Sequence, residues 1–454
     1  IAIGDINGDK LEDFIVGGAK DQPTAFYFQK SDGSFYSKTF SFSKEHSKYE
    51  DMDMILEDFD NDGDKDLYIV SGGNEFEPNT PILKDRLYVN DGKGLFSFDD
   101  NSLPNNFSSG MRVSAEDYDK DGDLDLFVGG RVVPGSYPLP AESFLLENIT
   151  NDNGIKFKNA DESIFSYKEI GLVTSSVWTD YNDDGWTDLI VVGEWTPIKF
   201  YKNIEGKFSE DTSLIDVDST RGWWYDIVAE DFDKDGDMDL VIGNLGNNYK
   251  YQTSGDETFD IFYNDFDQNN TGDIVLSYYN DGEQYPLRGR QCSSDQIPAI
   301  KMKFQDYDAF SIATLEDVYT EPALENSLHY FTKTFSSVYL ENTGNSFKMS
   351  NLPTLTQLSS INKILKKDID KDGYIDIVVS GNMYNSEVET PRNDGSVGVY
   401  LKYTPNIGFE AVSTQKSGLF INGDVKDMEF ISFNDNEYII SAKNDDFIEF
   451  TKIK

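Results

Sequence analysis

The chain has 454 residues, with 83 Asp and Glu against 39 Lys and Arg, a formal charge of −44. A field of that sign repels phosphate backbones and anionic bilayer surfaces, which argues against nucleic acid as a partner. One cysteine, Cys292, rules out an intrachain disulfide, and two histidines, His46 and His329, leave little for histidine-based metal or acid–base chemistry.

Hydrophobic residues at 38% and aromatics at 14% are too abundant for a disordered acidic tail, so a real core is expected. No stretch approaches the roughly 18 apolar residues that span a bilayer. Length alone suggests roughly three domains, a prior that repeats override.

Repetition begins at once. GDINGDKLEDFIVGG, from Gly4, returns as EDFDNDGDKDLYIVSGG from Glu57, EDYDKDGDLDLFVGG from Glu116 and TDYNDDGWTDLIVVGE from Thr179. Further copies are EDFDKDGDMDLVIGN from Glu230, NDFDQNNTGDIVLSY from Asn264 and KDIDKDGYIDIVVSGN from Lys367. Each reads as strand, acidic loop and short buried strand. A second pattern, seen in RLYVNDGKGLFSF from Arg86, IKFYKNIEGKFSE from Ile198 and SVYLENTGNSFKM from Ser337, reads as a hairpin. Two hairpins per unit of about fifty residues predict an all-β fold, a β-propeller of four-stranded antiparallel blades.

From Val425 the strand rhythm continues without an acidic loop, giving an eighth hairpin unit. Most spacings between loops are 51 to 63 residues, but the one before Asp265 is 34 and the one after it 103. A 34-residue unit is too short for a blade and is expected to merge with its neighbour. Seven blades are favoured, with eight the alternative, in a single propeller domain over 1–454.

The segment 282–334 departs from the pattern. It contains Pro286, Pro298, Lys301, Lys303 and the run DAFSIATLEDVY, whose Phe310, Ile312, Leu315, Val318 and Tyr319 suit a short amphipathic helix. It is read as a helical insertion between strands of one blade, a packing cap over the rim, with a ligand-gating lid as the sharper alternative. Because Ile1 falls inside a repeat, a further region is expected upstream.

The acidic loops point to a hard cation. In the second loop, side-chain oxygens fall at positions 1, 3, 5 and 9: Asp58, Asp60, Asp62 and Asp66. Gly63 at position 6 permits the sharp turn. The sets Asp117, Asp119, Asp121, Asp125; Asp231, Asp233, Asp235, Asp239; and Asp368, Asp370, Asp372, Asp376 repeat the pattern. Three loops replace one carboxylate by an amide: Asp5, Asn7, Asp9, Asp13; Asp180, Asn182, Asp184, Asp188; and Asp265, Asp267, Asn269, Asp273. Position 7 (Leu11, Asp64, Asp123, Trp186, Asp237, Thr271 and Tyr374) offers a backbone carbonyl.

Clustered oxygens without nitrogen or sulfur suit Ca²⁺, and without a cation the carboxylates would repel one another. Up to seven structural Ca²⁺ are expected, taking the charge from −44 to −30 (−44 + 14). Lys10 occupies position 6 of the first loop, where a left-handed conformation suits lysine poorly, so that loop is the least suited to an ion. An EF-hand needs Glu at position 12. Here that position is Val16, Ile69, Val128, Val191, Ile242, Leu276 and Val379, all apolar and within the following strand.

These loops and their flanks resemble the FG-GAP/VCBS repeats of integrin-α-like propellers. The strings YPLRGRQCSSDQIPAIKMKF, ATLEDVY, SGGNEFEP, DRLYVNDGKGLF, GGRVVPGSYP, VVGEWTPI and VIGNLGNN look like the C-terminal propeller of VCBS-repeat proteins of the ASPIC/UnbV type, common in Bacteroidota. The resemblance implies an exported protein at the cell surface or outer membrane, held there by an upstream lipid anchor. It further implies a SusC/SusD-type nutrient-uptake or adhesion assembly, and no defined reaction.

The face opposite the acidic loops is the candidate partner surface, for protein subunits of such a complex, a glycan, or both. Its loops carry Asn74, Glu75, Phe76, Arg131, Tyr137, Pro138, Glu194, Trp195, Arg221, Trp223, Trp224, Asn244, Asn247, Asn382 and Tyr384. Aromatic and Arg side chains beside amides suit a hot spot or sugar platform. The blander reading fills gaps between blades with Trp195 and Trp223 and pairs Glu194 with Arg131. A non-enzymatic binding propeller is favoured over an enzyme. The alternative is a polysaccharide lyase or hydrolase on the same scaffold, which fold alone does not license.

Overall fold

The computed structural model describes residues 1–386 and 390–453. Its sheets are antiparallel ladders, and seven of them stand as blades around an axis. Their innermost strands are Ala2–Gly4, Asp51–Glu57, Gly110–Glu116, Leu172–Thr179, Asp226–Glu230, Ile361–Lys367 and Val425–Phe433. Each packs on the next, and the last returns to the first, so the ring closes. The first six blades have four strands each, and in the fourth Gly222–Trp223 adds a short fifth beside the second strand. The seventh, from the decayed tail copy, pairs Val425–Phe433, Asn436–Lys443 and Glu449–Lys452.

The second strand of each blade explains the short apolar runs. In Asp66–Ser71 every residue is buried. Leu67 and Ile69 join the core shared with the first blade, while Tyr68 and Val70 join the core shared with the third. Alternation sends successive side chains to opposite faces. Here both faces meet a neighbouring blade, so the run is apolar throughout. Leu189 and Val191 against Ile190 and Val192 repeat the arrangement in the fourth blade.

Charged side chains from the inner strands cross the axis. Arg112 Nε lies 3.5 Å from Asp53 Oδ2, and its Nη2 lies 3.9 Å from Asp226 Oδ1. Lys363 Nζ reaches Asp427 at 2.9 Å and Glu429 at 3.1 Å. Asp226 also accepts from Ser175 Oγ at 2.9 Å and from the Ile364 N–H at 2.8 Å. Six blades, the second to the seventh, are thereby joined through buried or half-buried polar groups.

The Asp265 unit lies outside the ring and is no part of a merged blade. Between Asp239–Gly243 and Val338–Asn342 of the fifth blade, the chain builds a separate sheet. Its strands run in the order Glu283–Pro286, Asp273–Asn280, Phe259–Asn264 and Leu328–Thr332. Five short helices, Arg290–Gln296, Ala299–Lys303, Tyr307–Ser311, Leu315–Tyr319 and Glu321–Glu325, connect its last two strands in sequence. The insertion is therefore broader than 282–334 and partly β.

The run DAFSIATLEDVY forms two helices rather than one. Thr314 caps the second, accepting from the Asp317 N–H while the Asp317 carboxylate accepts from the Thr314 N–H. The break turns Ile312 outward to 78% exposure, while Phe310, Leu315, Val318 and Tyr319 stay buried.

The insertion rests on the mouth opposite the acidic loops. Phe259 stacks on Trp195 with ring centroids 5.7 Å apart and meets Trp223 edge-on at 6.0 Å. Arg221 lies over the Phe331 ring, 4.6 Å from its centroid. Much of the aromatic surface expected to await a partner thus holds this cap.

Trp224 faces the other way, fully buried among Ile190, Ile198, Ile227 and Ile242, and its Nε1 donates to the Thr220 carbonyl at 2.9 Å. Replacing Trp224 by Ala should therefore cost about 3–5 kcal/mol of stability. Urea unfolding monitored by far-ultraviolet circular dichroism measures it, and a loss below about 1 kcal/mol would contradict the packing described.

Candidate metal centres on the blade turns

Each acidic loop is shaped by its own backbone before any ion is considered. The position-1 carboxylate receives the N–H groups of positions 5 and 6: Asp58 from Asp62 at 3.1 Å and Gly63 at 2.9 Å, Asp265 from Asn269 at 2.9 Å and Asn270 at 2.8 Å. The position-5 side chain receives the N–H of position 7, as Asp235 does from Asp237 at 3.0 Å. These bonds require left-handed residues at two places. Position 6 was legible from its glycines. Position 4 was not, because it is filled by Asn61, Lys120, Asp183, Lys234, Gln268 and Lys371, with φ between 53° and 64°.

The first loop resolves the difficulty posed by Lys10. Lys10 does adopt φ 69°, and its N–H donates to Asp5 Oδ2 at 2.8 Å, as the glycine does elsewhere. The glycine of this loop, Gly8, sits at position 4 with φ 77°. One of the two left-handed positions is thus relieved by glycine in every loop except the sixth, which uses Gln268 and Asn270.

Five loops bring three carboxylate oxygens within 4.8 Å of one another: Asp58, Asp60, Asp62; Asp117, Asp119, Asp125; Asp231, Asp233, Asp235; Asp265, Asp267, Asp273; and Asp368, Asp370, Asp376. The first and fourth loops, where Asn7 and Asn182 replace a carboxylate, form no such triple among the described residues. In the fourth, Asn182 Nδ2 donates to Asp188 Oδ2 at 2.7 Å and Lys202 pairs with Asp184 at 3.1 Å. In the seventh, Lys402 pairs with Asp370 and reaches Asp372 at 2.8 Å.

Buried oxygens without a hydrogen-bond partner test whether an ion fits. Asp60 Oδ1, Asp64 Oδ1, Asp123 Oδ1, Asp125 Oδ2, Asp267 Oδ1 and Asp368 Oδ1 are all such atoms. An unpaired buried carboxylate oxygen is costly, and a hard cation is the partner that oxygen-only surroundings favour. The clusters can hold metal ions. At Asp64 and Asp123, position 7 brings a carboxylate as well as the expected carbonyl. Both carboxyls are pushed up to about 6, first by burial and then by the neighbouring loop aspartates.

Position 9 links the loop to the blade. Asp13, Asp66, Asp125, Asp188, Asp239, Asp273 and Asp376 are all buried at the head of a second strand. In the first six blades, one oxygen accepts an N–H from the third strand. The donors are Gln29 at 2.7 Å, Asn90 at 2.9 Å, Asn148 at 2.8 Å, Asn203 at 2.7 Å, Asn342 at 2.8 Å and Tyr403 at 3.0 Å.

Four of these donors are asparagines, and their side chains do more. Asn90, Asn148, Asn203 and Asn342 donate Nδ2 to the position-2 carbonyl of the preceding blade's loop: Ile6 at 2.8 Å, Phe59 at 3.0 Å, Tyr118 at 2.8 Å and Tyr181 at 2.8 Å. The same amides donate to the position-8 carbonyl of their own loop, as Asn203 does to Thr187 at 3.0 Å. Gln29 reaches Ser432 of the seventh blade at 3.1 Å. These inter-blade ties were missed in the sequence, although the Asn that closes YVN, LEN, YKN and LEN was there to find.

The expected partner residues divide. Asn74, Glu75 and Asn247 are exposed, and Arg131, Tyr137, Glu194, Arg221, Trp223 and Tyr384 are half-buried. Trp195, Trp224, Asn244 and Asn382 are buried and cannot serve as a surface. Asn382 spends its amide on the Ser396 and Gly423 carbonyls, and Asn244 on Thr334. Arg131 pairs with Glu194 at 2.7 Å, whose other oxygen accepts from Tyr137 Oη at 3.2 Å, and Trp195 Nε1 donates to that Oη at 2.5 Å.

Replacing Asn203 by Ala removes both amide ties and leaves the Tyr118 and Thr187 carbonyls without that donor. A loss of about 2–3 kcal/mol is expected in denaturant unfolding. A pH effect follows from position 9. Burial, before any other cause, raises Asp66, Asp188 and Asp239 to about 7 and Asp125 to about 8. Unfolded aspartates titrate near 3.9. Between those values the folded chain binds more protons, so its metal-free stability should fall as pH rises from about 5 to about 8. Melts of chelator-stripped, desalted protein across that range check the sign, and saturating Ca²⁺ should abolish the decline.

A family model described as the FG-GAP-like repeat matches residues 5–69, 58–128 and 180–242. No curated protein matches the chain. Among solved structures the chain is similar to Sqt1 of Saccharomyces cerevisiae, at 7% identity over 100% of this chain and 98% of that one, with a TM-score of 0.45. It is also similar to the biofilm matrix protein Bap1 of V. cholerae, at 12% identity over 97% and 83%, with a TM-score of 0.35. A third likeness is to BBS1N, crystallised in complex with ARL6DN, at 7% identity over 89% and 93%, with a TM-score of 0.32. The chain thus carries FG-GAP-like repeats at three places, within a closed ring of seven antiparallel blades.

Proposed function

We propose that the chain is a non-enzymatic, calcium-stapled propeller that works outside the cytoplasm as a binding subunit of a cell-surface assembly, of the nutrient-uptake or adhesion kind. The observation that carries this reading is the set of buried, unpartnered carboxylate oxygens repeated at the blade turns. Oxygen-only sites on flexible loops suit Ca²⁺, and modular sites of modest affinity fill where that ion is abundant, as it is extracellularly. When bound, Ca²⁺ would neutralise the loop carboxylates. The residues that would hold it are those at positions 1, 3, 5 and 9, with the position-7 carbonyl.

A binding role is favoured over catalysis by the placement of the groups that could act as bases. His46 is buried, with Nδ1 2.8 Å from Tyr88 Oη. His329 Nε2 lies 2.7 Å from Asp260 on the inserted sheet. Neither belongs to an acidic loop. On the face opposite the loops, the exposed Asn74, Glu75 and Asn247 remain available to a partner beside the insertion.

Calorimetric titration of stripped protein should show at least about five bound Ca²⁺, and chelation should lower the melting temperature by more than about 10 °C. An unchanged melt would end the structural role assigned to the ion. Asp117→Ala should bind one ion fewer. Steady release of reducing or unsaturated ends from a polysaccharide panel would replace the binding reading with the lyase or hydrolase.

A further inference from the structure

The amide ties do not run round the whole ring. At the junction of the fifth and sixth blades, the residue that donates its N–H to the position-9 aspartate is Tyr403, not asparagine. Its ring cannot donate to the Phe232 carbonyl, the counterpart of Ile6, Phe59, Tyr118 and Tyr181. Among the described residues, no side-chain amide reaches that carbonyl. At this same junction lies a cavity of about 690 Å³, walled by the outer hairpin of the fifth blade and by Pro405–Gly408 of the sixth. A cleft of that size falls within the range of small-ligand sites.

Its walls are aromatic and polar together. Tyr374 stacks on Tyr403 with centroids 5.9 Å apart and planes 25° from parallel. Phe409 stands edge-on to Tyr403 at 5.2 Å and to Tyr339 at 5.5 Å. Lys234 Nζ lies over the Tyr374 ring, 4.6 Å from its centroid. The rim supplies hydrogen-bonding groups: Asp233, the Glu341–Lys348 pair at 2.8 Å, Asn351 and Asn406.

We propose that this inter-blade cleft binds a neutral oligosaccharide, whose apolar faces pack against the half-buried Tyr339, Tyr374 and Phe409 while its hydroxyls meet Glu341, Asn351 and Asn406. The proposal rests on the reading of the chain as a binding module and gives it a site and a ligand class. Sugars present apolar C–H faces and many hydroxyls, which matches aromatic walls with a polar rim. An anionic ligand meets the field of a strongly acidic chain, with Glu341 at the cleft itself. A wholly apolar ligand would leave the rim groups unpaired.

The test is isothermal titration of the whole Ca²⁺-loaded chain with cellohexaose, xylohexaose, mannohexaose and laminarihexaose, and with an oligogalacturonate hexamer as the acidic comparison. At least one neutral hexasaccharide should bind with a Kd below about 1 mM, and the acidic one at least about tenfold more weakly. Tyr374→Ala, which removes an aromatic wall of the cleft at a half-buried position, should weaken binding by at least about tenfold. Ser350→Trp, on the exposed outer strand, should block the cleft without touching the core. Melting temperatures of both variants in Ca²⁺ report folding separately.

No binding by any neutral hexasaccharide at about 5 mM overturns the proposal, as does tighter binding of the acidic one. Neutral binding that survives both variants moves the sugar elsewhere and refutes the cleft while leaving the binding module intact. The chelator melts judge the calcium-stapled scaffold independently.

Discussion

A carboxylate buried at the head of a β-strand is the constraint on which this architecture turns. Position 9 of each loop lies inside the protein, and in the first six blades it is tied by a third-strand N–H. An ionised carboxylate there is expensive unless something positive or donating surrounds it. Backbone N–H groups meet part of the cost, and the remaining oxygens of the loop converge on one point instead of dispersing into water. Without a cation, folding raises the proton affinity of these groups. With one, the same convergence joins the turn between two strands to the core of the blade.

That local economy also builds the ring. The third-strand residue that satisfies the buried aspartate is an asparagine in four blades, and its side chain reaches the preceding loop. One residue thus couples a turn, its own blade and the neighbouring blade. Cation loops and inter-blade contacts are therefore parts of one network. Straining a loop should be felt at the next junction, because the acceptor there is the loop's own position-2 carbonyl. Hydrophobic packing supplies the bulk of the cohesion between blades, but it is not directional. The amides help to set the register in which one blade lies on the next.

Much of this was legible in the chain because repetition multiplies weak signals. Seven loops with oxygens at four fixed positions identified the turns, and apolar position-12 residues set them inside a sheet fold. The spacing of 34 residues before Asp265 marked that unit as anomalous, but spacing alone does not tell a merged blade from a separate sheet. The deciding fact, that Leu328–Thr332 returns to pair with Phe259–Asn264, is a long-range pairing with no local signature. The aromatics misled for a related reason. RGWWYD places one tryptophan toward the insertion and the next into the core, as alternation requires. Which of the two faces was solvent depended on an insertion whose reach the local pattern did not reveal. Left-handed lysines at position 4 escaped because a favourable hydrogen-bond frame overrides a residue preference of only about 1–2 kcal/mol.

The junction of the fifth and sixth blades shows what the network permits when one tie is given up. Tyr403 keeps the backbone half of the asparagine's role and abandons the side-chain half. Its ring is buried in the junction, stacked on Phe232 of the fifth blade at 6.4 Å and meeting Tyr374 and Phe409 on the sixth. Closure survives because the inner strands still pack, Ile364 still donates to Asp226, and Lys366 still reaches Glu230 at 2.8 Å across the same junction. Ring closure is secured near the axis, and the periphery is free to open. A propeller of this construction can therefore exchange an outer amide for an aromatic ring while its inner strands keep the ring of blades closed.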